Sequence, residues 1–353
     1  MDKKSGALLT AVLAAACALL IFPAQAAHGA ENGLRYSLSI LIPSLYPFMV
    51  LSVFVVKSGL SERLGRVLEK LTQALFRLPG NAAASVIMSI IGGYPSGARS
   101  AAALYESGAI TQKQAERMMC FCVNAGPSFV ITAVGIGFLK SAQAGNILFV
   151  SQLVSFFAMG ILSGIFCRHS AEPAQRKKIQ PPCGTVHAFI SSAADAAYST
   201  LMMCCFVILF AALMNLLRII PAPHSLSILC STLLEVTGGC ADLAASGTPL
   251  WVFAFAVGWG GVCVHLQVFS CLGSIRINRA RFVLCRAAQG SISAAVCSVL
   301  CTFFPQSAEA FSSFSGETQA ALSGSVLSAA ALAVLCVAFL FCIPHERIEI
   351  DKR

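Results

Sequence analysis

Arg99 follows a Gly92-Gly93-Tyr94-Pro95-Ser96-Gly97 run that interrupts an apolar stretch. Glycine and proline in such a run stop a helix. A helix restarting near Ser96-Gly97 turns its positive end toward the break. Ser96 could cap it, Gly93, Pro95 and Gly97 shape the turn, and Arg99 adds a full charge one turn in. A helix N-terminus plus a guanidinium suits an anion, and a guanidinium can take a carboxylate or phosphate by paired hydrogen bonds. Alternatively, Arg99 pairs with Glu106 or with an acidic residue of the other half of the chain. Glu235, just before Thr237-Gly238-Gly239, and Asp242, just after, bring the opposite sign to a second break. A carboxyl buried there could carry a coupling proton, bind a cation or serve as the counter-ion of Arg99. His265 and Gln267 follow a third break at Trp259-Gly260-Gly261, and His265 reads as a proton carrier or as a hydrogen-bonded packing residue. Asn124 and Ser128 flank a fourth break at Gly126-Pro127, where they could bond a solute or the freed backbone.

The elements around these breaks must lie in a membrane. Of 353 residues, 57% are hydrophobic and 11% charged, and the mean hydropathy is +0.79. Soluble domains carry about 25% charged residues, so this chain has too few to coat a soluble enzyme. The 16 cysteines form no CxxC pair and read as small core residues rather than disulfides or zinc ligands. No nucleophile–base set, nucleotide loop or metal spacing is present. The expectation is therefore a protein that is not an enzyme and has no cofactor or metal.

Residues 6–22 are uninterruptedly apolar after Lys3 and Lys4, and Ala24-Gln25-Ala26 offers a cleavage site. This is a retained first helix or a signal peptide, with retention favoured. An external linker runs to residue 33, and a span with Pro43 and Pro47 covers 34–56. Residues 57–78 place Leu60, Leu64, Leu68, Leu71 and Leu75 on one helix face and basic residues on the other, which predicts a helix lying on the membrane surface. The apolar run 81–91 rises only about 16 Å as a helix, half a bilayer core. With the 98–107 helix it reads as a re-entrant hairpin. Thr111-x-x-Gln114 predicts a capping box, followed by a broken span at 119–139 and a span at 145–167. A basic linker, 168–185, leads to a second half that repeats the plan. It has a span at 190–218, a hairpin from 224 to 246, a broken span at 249–272, spans at 282–304 and 319–343, and a tail at 344–353.

The net charge of +9 follows this topology. Segments 1–5, 57–80, 108–118, 168–189, 273–286 and 344–353 hold twenty of the 24 Lys and Arg and are assigned to the cytoplasm. Only Arg35, Lys140 and Arg218 fall outside, and Arg99 sits at a break. That bias obeys the positive-inside rule and accounts for the charge without a nucleic-acid partner. It puts both termini in the cytoplasm and turns the two hairpins in opposite directions. The predicted fold is all-α, with about eight transmembrane helices and two re-entrant hairpins in inverted-topology repeats: 34–167 and 186–343, the second with one extra helix. Glycines serving close helix packing are the plainer alternative.

Gly92-Gly93-Tyr94-Pro95-Ser96-Gly97-Ala98-Arg99, Asn124-Ala125-Gly126-Pro127-Ser128-Phe129, Gly260-Gly261-x-x-Val264-His265-x-Gln267-Val268 and the Pro43-to-Phe48 run together resemble the YlbJ-like sporulation integral membrane proteins, which belong with the nucleoside-recognition (Gate) domain proteins. The resemblance covers roughly residues 6–343. It implies a bacterial inner (cytoplasmic) membrane protein of an endospore former, including the forespore membrane, linked to spore maturation. It also implies a dipicolinate-like small carboxylate as a candidate solute. In that family the position of Arg99 is often lysine, which keeps the charge and changes its geometry. The expected function is transport of a small organic anion through the bilayer by alternating access. Gly93, Pro95, Ser96, Gly97, Arg99, Asn124, Ser128, Glu235, Thr237, His265 and Gln267 would form the site. The alternative is a non-transporting scaffold for spore envelope or cortex assembly. Homo-oligomerisation is compatible with either.

Overall fold

The computed structural model describes residues 3–166 and 184–304. The linker core, the 319–343 span and the tail therefore lie outside the described residues. Every element among the described residues is helical. Four are long and apolar enough to cross a membrane, and six if two bent pairs each count as one span.

Helix α1 (Lys3–Ile21) meets α2 (Pro23–Tyr36) at 97°. Residues 23–33, expected as a linker, are helical because Pro23 opens α2 in its first turn and because its small residues form a packing face. A Cβ on Gly29 would lie 2.6 Å from the Ala211 carbonyl, and one on Gly33 2.7 Å from Ile208 Cα. Both neighbours belong to α9 (Thr185–Leu217). Gly29 and Gly33, four apart, thus let two backbones touch, as small residues do between membrane helices. The chain runs on through a π-helical stretch (Ser37–Leu41) into α3 (Ile42–Lys57). Pro43 and Pro47 cannot donate to the carbonyls four residues earlier, and the widened turn falls just before them.

Gly59 (φ 76°) turns the chain by 86° into α4 (Leu60–Phe76), the expected amphipathic helix. Its buried residues are Ser61, Gly65, Thr72 and Phe76, while Leu71 of the leucine stripe is exposed. Helix α5 (Ala82–Gly92) breaks at Gly93 and folds back as α6 (Tyr94–Glu106). The Ser85 hydroxyl donates to the Gly97 carbonyl at 2.9 Å across the turn. The capping box forms as expected at the start of α7 (Gln112–Met119). A break follows, then a π-helix (Ser128–Phe138) and α8 (Ala142–Ile165).

Beyond α9 come α10 (His224–Leu234) and α11 (Val236–Ala245). Their break is at Glu235 and not at the glycines, because the Glu235 carboxylate caps α11 by accepting from the Thr237 and Gly238 amides. Gly239 serves packing instead: its Cβ would lie 2.6 Å from Thr232 Cα. Helices α12 (Leu250–Trp259) and α13 (Gly261–Ser270) meet at Gly260 and Gly261, with φ 81° and 77°. Helix α14 (Arg279–Phe303) ends the described chain. A Gly135–Gly145 contact seats the π-helix on α8, and Gly258–Gly290 seats α12 on α14.

Candidate functional site

The four breaks meet. A Cβ on Gly93 would lie 3.1 Å from the Gly126 amide, so the first and fourth breaks touch backbone to backbone. A Cβ on Gly261 would lie 3.2 Å from Glu235 Cα, which joins the second and third. Tyr94 bridges the two pairs: its hydroxyl donates to the Val257 carbonyl, and its ring lies against Gly260. Glycine is required at Gly93, where φ 86° and ψ −171° exclude a side chain.

Between the breaks lies a cleft of about 500 Å³, its mouth included. Gly93, Tyr94 and Pro95 line it from the start of α6, Gly126 and Phe129 from the start of the π-helix, and Glu235, Val236 and Thr237 from the start of α11. Val264 and Gln267 of α13, Leu41 and Leu45 beside the first span, and Val207 of α9 complete the wall. Each hairpin therefore shows the cleft the N-terminal end of its returning helix. Glu235 is the one charged residue on this wall, and its carboxylate is held at 2.8 Å by Thr237 N and 2.6 Å by Gly238 N. The starts of α6 and the π-helix carry no side-chain cap. Their partial positive charge is left for whatever enters.

Five of the eleven expected site residues thus line the cleft: Gly93, Pro95, Glu235, Thr237 and Gln267. The other six have structural surroundings. Ser96 does not cap α6; its hydroxyl donates back to Gly93 O at 2.9 Å and Met88 O at 3.2 Å. Gly97 lets α6 meet the Cys122 carbonyl and Ser89. Asn124 accepts from Gln289 Nε2 at 3.1 Å, and Ser128 opens the π-helix. His265 is buried, with Nε2 3.0 Å from the Trp259 carbonyl and its ring 4.4 Å from Trp259 and 5.3 Å from Phe282. Arg99 reaches Asp195 of α9 at 3.1 Å, and Lys57 shares that carboxylate at 2.9 Å. Asp242, the second acid considered, binds Arg218 at 2.7 Å.

Arg286 was missed. The charge count placed it in a cytoplasmic loop, but it is fully buried. Its guanidinium donates to the Val123 carbonyl, to Cys120 O at 2.7 Å and to Gln289 Oε1 at 2.5 Å. It satisfies the open end of α7, where carbonyls lack helical partners and the dipole is negative. Arg117, also counted with the loops, is likewise buried and donates to the Phe76 and Arg77 carbonyls ending α4. An arginine inside the apolar 282–304 stretch was the signal available.

Residues 38–142, which contain the first hairpin and the following break, match the family model described as Gate: nucleoside recognition. Over 315 residues the chain is 25% identical to the sporulation integral membrane protein YlbJ of Bacillus subtilis (strain 168), covering 77% of this chain and 76% of the relative. No solved structure matches the chain. The buried breaks, the apolar helices and these likenesses converge on an integral membrane protein that is similar to YlbJ and has a segment similar to the Gate (nucleoside recognition) family.

Proposed function

We propose that this protein carries a small organic anion across a bacterial membrane, in a step linked to sporulation, by alternating access between oppositely oriented halves. The observation that carries the reading is the cleft where four helix interruptions meet. Irregular backbone at membrane depth is tolerated where it is buried or lines a cavity, and paired discontinuous helices are how many carriers build a solute site. The anion preference rests on the uncapped starts of α6 and the π-helix at the cleft. Glu235, satisfied by amides of its own helix, leaves those ends unneutralised. Arg99 contributes no charge to the wall, since Asp195 holds it.

About eight spans with re-entrant hairpins in inverted repeats remain the arrangement we propose. The two broken hairpins, each followed by a broken span and a long helix, support it. The sporulation link rests on the relative's name, and a forespore-membrane location is proposed along with it.

The test is uptake by proteoliposomes holding the full chain, with a panel of radiolabelled small carboxylates and a neutral nucleoside as the contrasting probe. Saturable carboxylate uptake is expected, and Gln267→Leu, which removes a polar group from the wall, should lower it about tenfold, one hydrogen bond's worth. Uptake of the nucleoside alone would overturn the anion class. No flux of any probe, with a large partner complex on pull-down, would favour the scaffold.

A further inference from the structure

A second cavity, about 670 Å³ with its mouth, lies between α2, α9, α10 and α11. Its wall is more polar than that of the central cleft: Asn32, Tyr36, Asn215, Ser231, Arg218 and Asp242 line it beside Ala211, Met214 and Ala241. It shares two residues with the central cleft, Val207 and Glu235. Glu235 is therefore a partition. It is 6% exposed, belongs to the wall of a mostly apolar solute cleft on one side, and belongs to a more polar vestibule on the other. The vestibule reaches Arg218 at the end of α9, which is 47% exposed.

We infer that Glu235 is the proton-coupling carboxylate of this carrier, loaded through the Asn32–Asn215–Asp242 vestibule, and that solute anion and proton travel together. The inference rests on the carrier reading above. Its chemistry is a competition for two amides. The structure already shows a carboxylate on Thr237 N and Gly238 N, namely that of Glu235 itself. A proton arriving from vestibule water bonds to a Glu235 oxygen. That oxygen loses its charge, and its hold on the amide weakens, because charge-assisted hydrogen bonds are about twice as strong as neutral ones. The carboxylate of the solute then takes the freed amide. One proton enters with one negative charge, so the site carries the same net charge empty and loaded. A buried site in a membrane favours this, since uncompensated charge there is costly.

The groups facing Glu235 leave it free to play this part. Cys240 and Asp242 share its helix, Cys263 faces it from α13 and Tyr94 from α6. Ser231 of α10, Tyr36 of α2 and Arg218 of α9 stand across the vestibule. The one cation among them, Arg218, is engaged by both oxygens of Asp242 at 2.7 and 2.8 Å. No ion pair fixes Glu235 in its charged form among the described residues.

The experiment uses the full chain in liposomes and needs no known solute. Carbodiimides react with protonated carboxyls. Dicyclohexylcarbodiimide, which partitions into membranes, should modify Glu235 by peptide mass, at least about fivefold more at pH 5.5 than at pH 8.5. A membrane-impermeant carbodiimide should reach Glu235 from the Arg218 side alone. Ala241→Leu, which narrows the vestibule, should slow the impermeant reagent and spare the apolar one. A Glu235 that stays unmodified at pH 5.5, that reacts equally at both pH values, or that is reached from the opposite side overturns the assignment. For any carboxylate the wild type takes up, an entrapped pH dye should report one proton per negative charge, and Glu235→Gln should abolish that proton movement. Uptake by the wild type without proton movement refutes the coupling while leaving the carrier standing. Absence of all uptake removes the carrier, and the coupling with it, while the carbodiimide result still decides whether Glu235 titrates from the vestibule.

Discussion

Replacing Gly93 by alanine should be a damaging single-methyl change at the site, and its cost can be divided. The backbone there has φ 86° and ψ −171°, a region that costs a residue with a side chain about 1–3 kcal/mol. The added Cβ would also lie 3.1 Å from Gly126 N, 3.4 Å from Leu45 Cδ2 and 3.5 Å from Gly126 Cα. Leu45 can turn away, but the Gly126 backbone cannot, and forcing extra volume into a packed core costs a further 1–3 kcal/mol or so. The sum is about 2–6 kcal/mol, at least a thirtyfold fall in the folded-to-unfolded ratio. Two controls separate the parts. Gly247 has φ 64° with nothing within 4 Å of a Cβ, so Gly247→Ala should show strain alone, about 1 kcal/mol. Gly137 has no positive φ, and its nearest atom is Thr132 O at 3.4 Å, so Gly137→Ala should be neutral or slightly stabilising. Reversible unfolding in mixed micelles, followed by circular dichroism, gives all three. If Gly93→Ala falls within about 0.5 kcal/mol of Gly247→Ala, the backbone contact between the two breaks is not what the geometry says.

Two other changes test the polar fastenings. Arg286→Met should destabilise by about 3–5 kcal/mol, the usual cost of stripping a partner from buried polar groups, because it orphans the Cys120 and Val123 carbonyls; a loss under 1 kcal/mol in the same unfolding assay would deny that Arg286 holds the end of α7. For Arg99 and Asp195, a double-mutant cycle with Arg99→Gln and Asp195→Asn should give a coupling near 1 kcal/mol, since Asp195 is 36% exposed and water screens the pair; additive effects would mean that the contact does not tie α6 to α9.

Three of the four breaks were legible because glycine and proline write them directly: Gly93, Gly126-Pro127 and Gly260-Gly261. The second break lies a few residues from where its glycines point, for an instructive reason. Gly238 and Gly239 look like a helix stop, yet they lie inside α11, and Gly239 gives it a close seat on α10. The stop is Glu235, ordinarily a good helix former, acting here as a cap. Gly29, Asn32 and Gly33 likewise read as linker, because smallness for packing and smallness for turning look the same in sequence. Arg99 was recognised as a costly charge, but its partner lies 96 positions away. Arg286 sits five positions after Arg281 and reads in sequence as part of the basic loop. What moves it inside is the row of carbonyls at the end of α7, which exists only once α7 has stopped.

The placement of charge explains why the cleft is walled mainly by apolar groups and helix ends. Helix α9 holds Asp195 about a third of the way along and is capped by Arg218, the two about 35 Å apart at 1.5 Å per residue. Asp195 takes Arg99 from α6, and Arg218 takes Asp242 from α11. Arg99 and Asp242, one on each returning hairpin arm, are thus both paired along α9. Val207, near the midpoint between Asp195 and Arg218, lines both cavities. The central cleft then keeps a single carboxylate, and that one is satisfied by amides. What remains for a solute there is partial charge at helix starts, which cannot be lost to solvent screening or rotated away. The ion pairs on α9 are partly exposed and worth about 1 kcal/mol or less each. The glycine contacts that seat α6 on α5 and α11 on α10 leave no room to slide. Each hairpin is therefore internally rigid and only weakly fastened to α9.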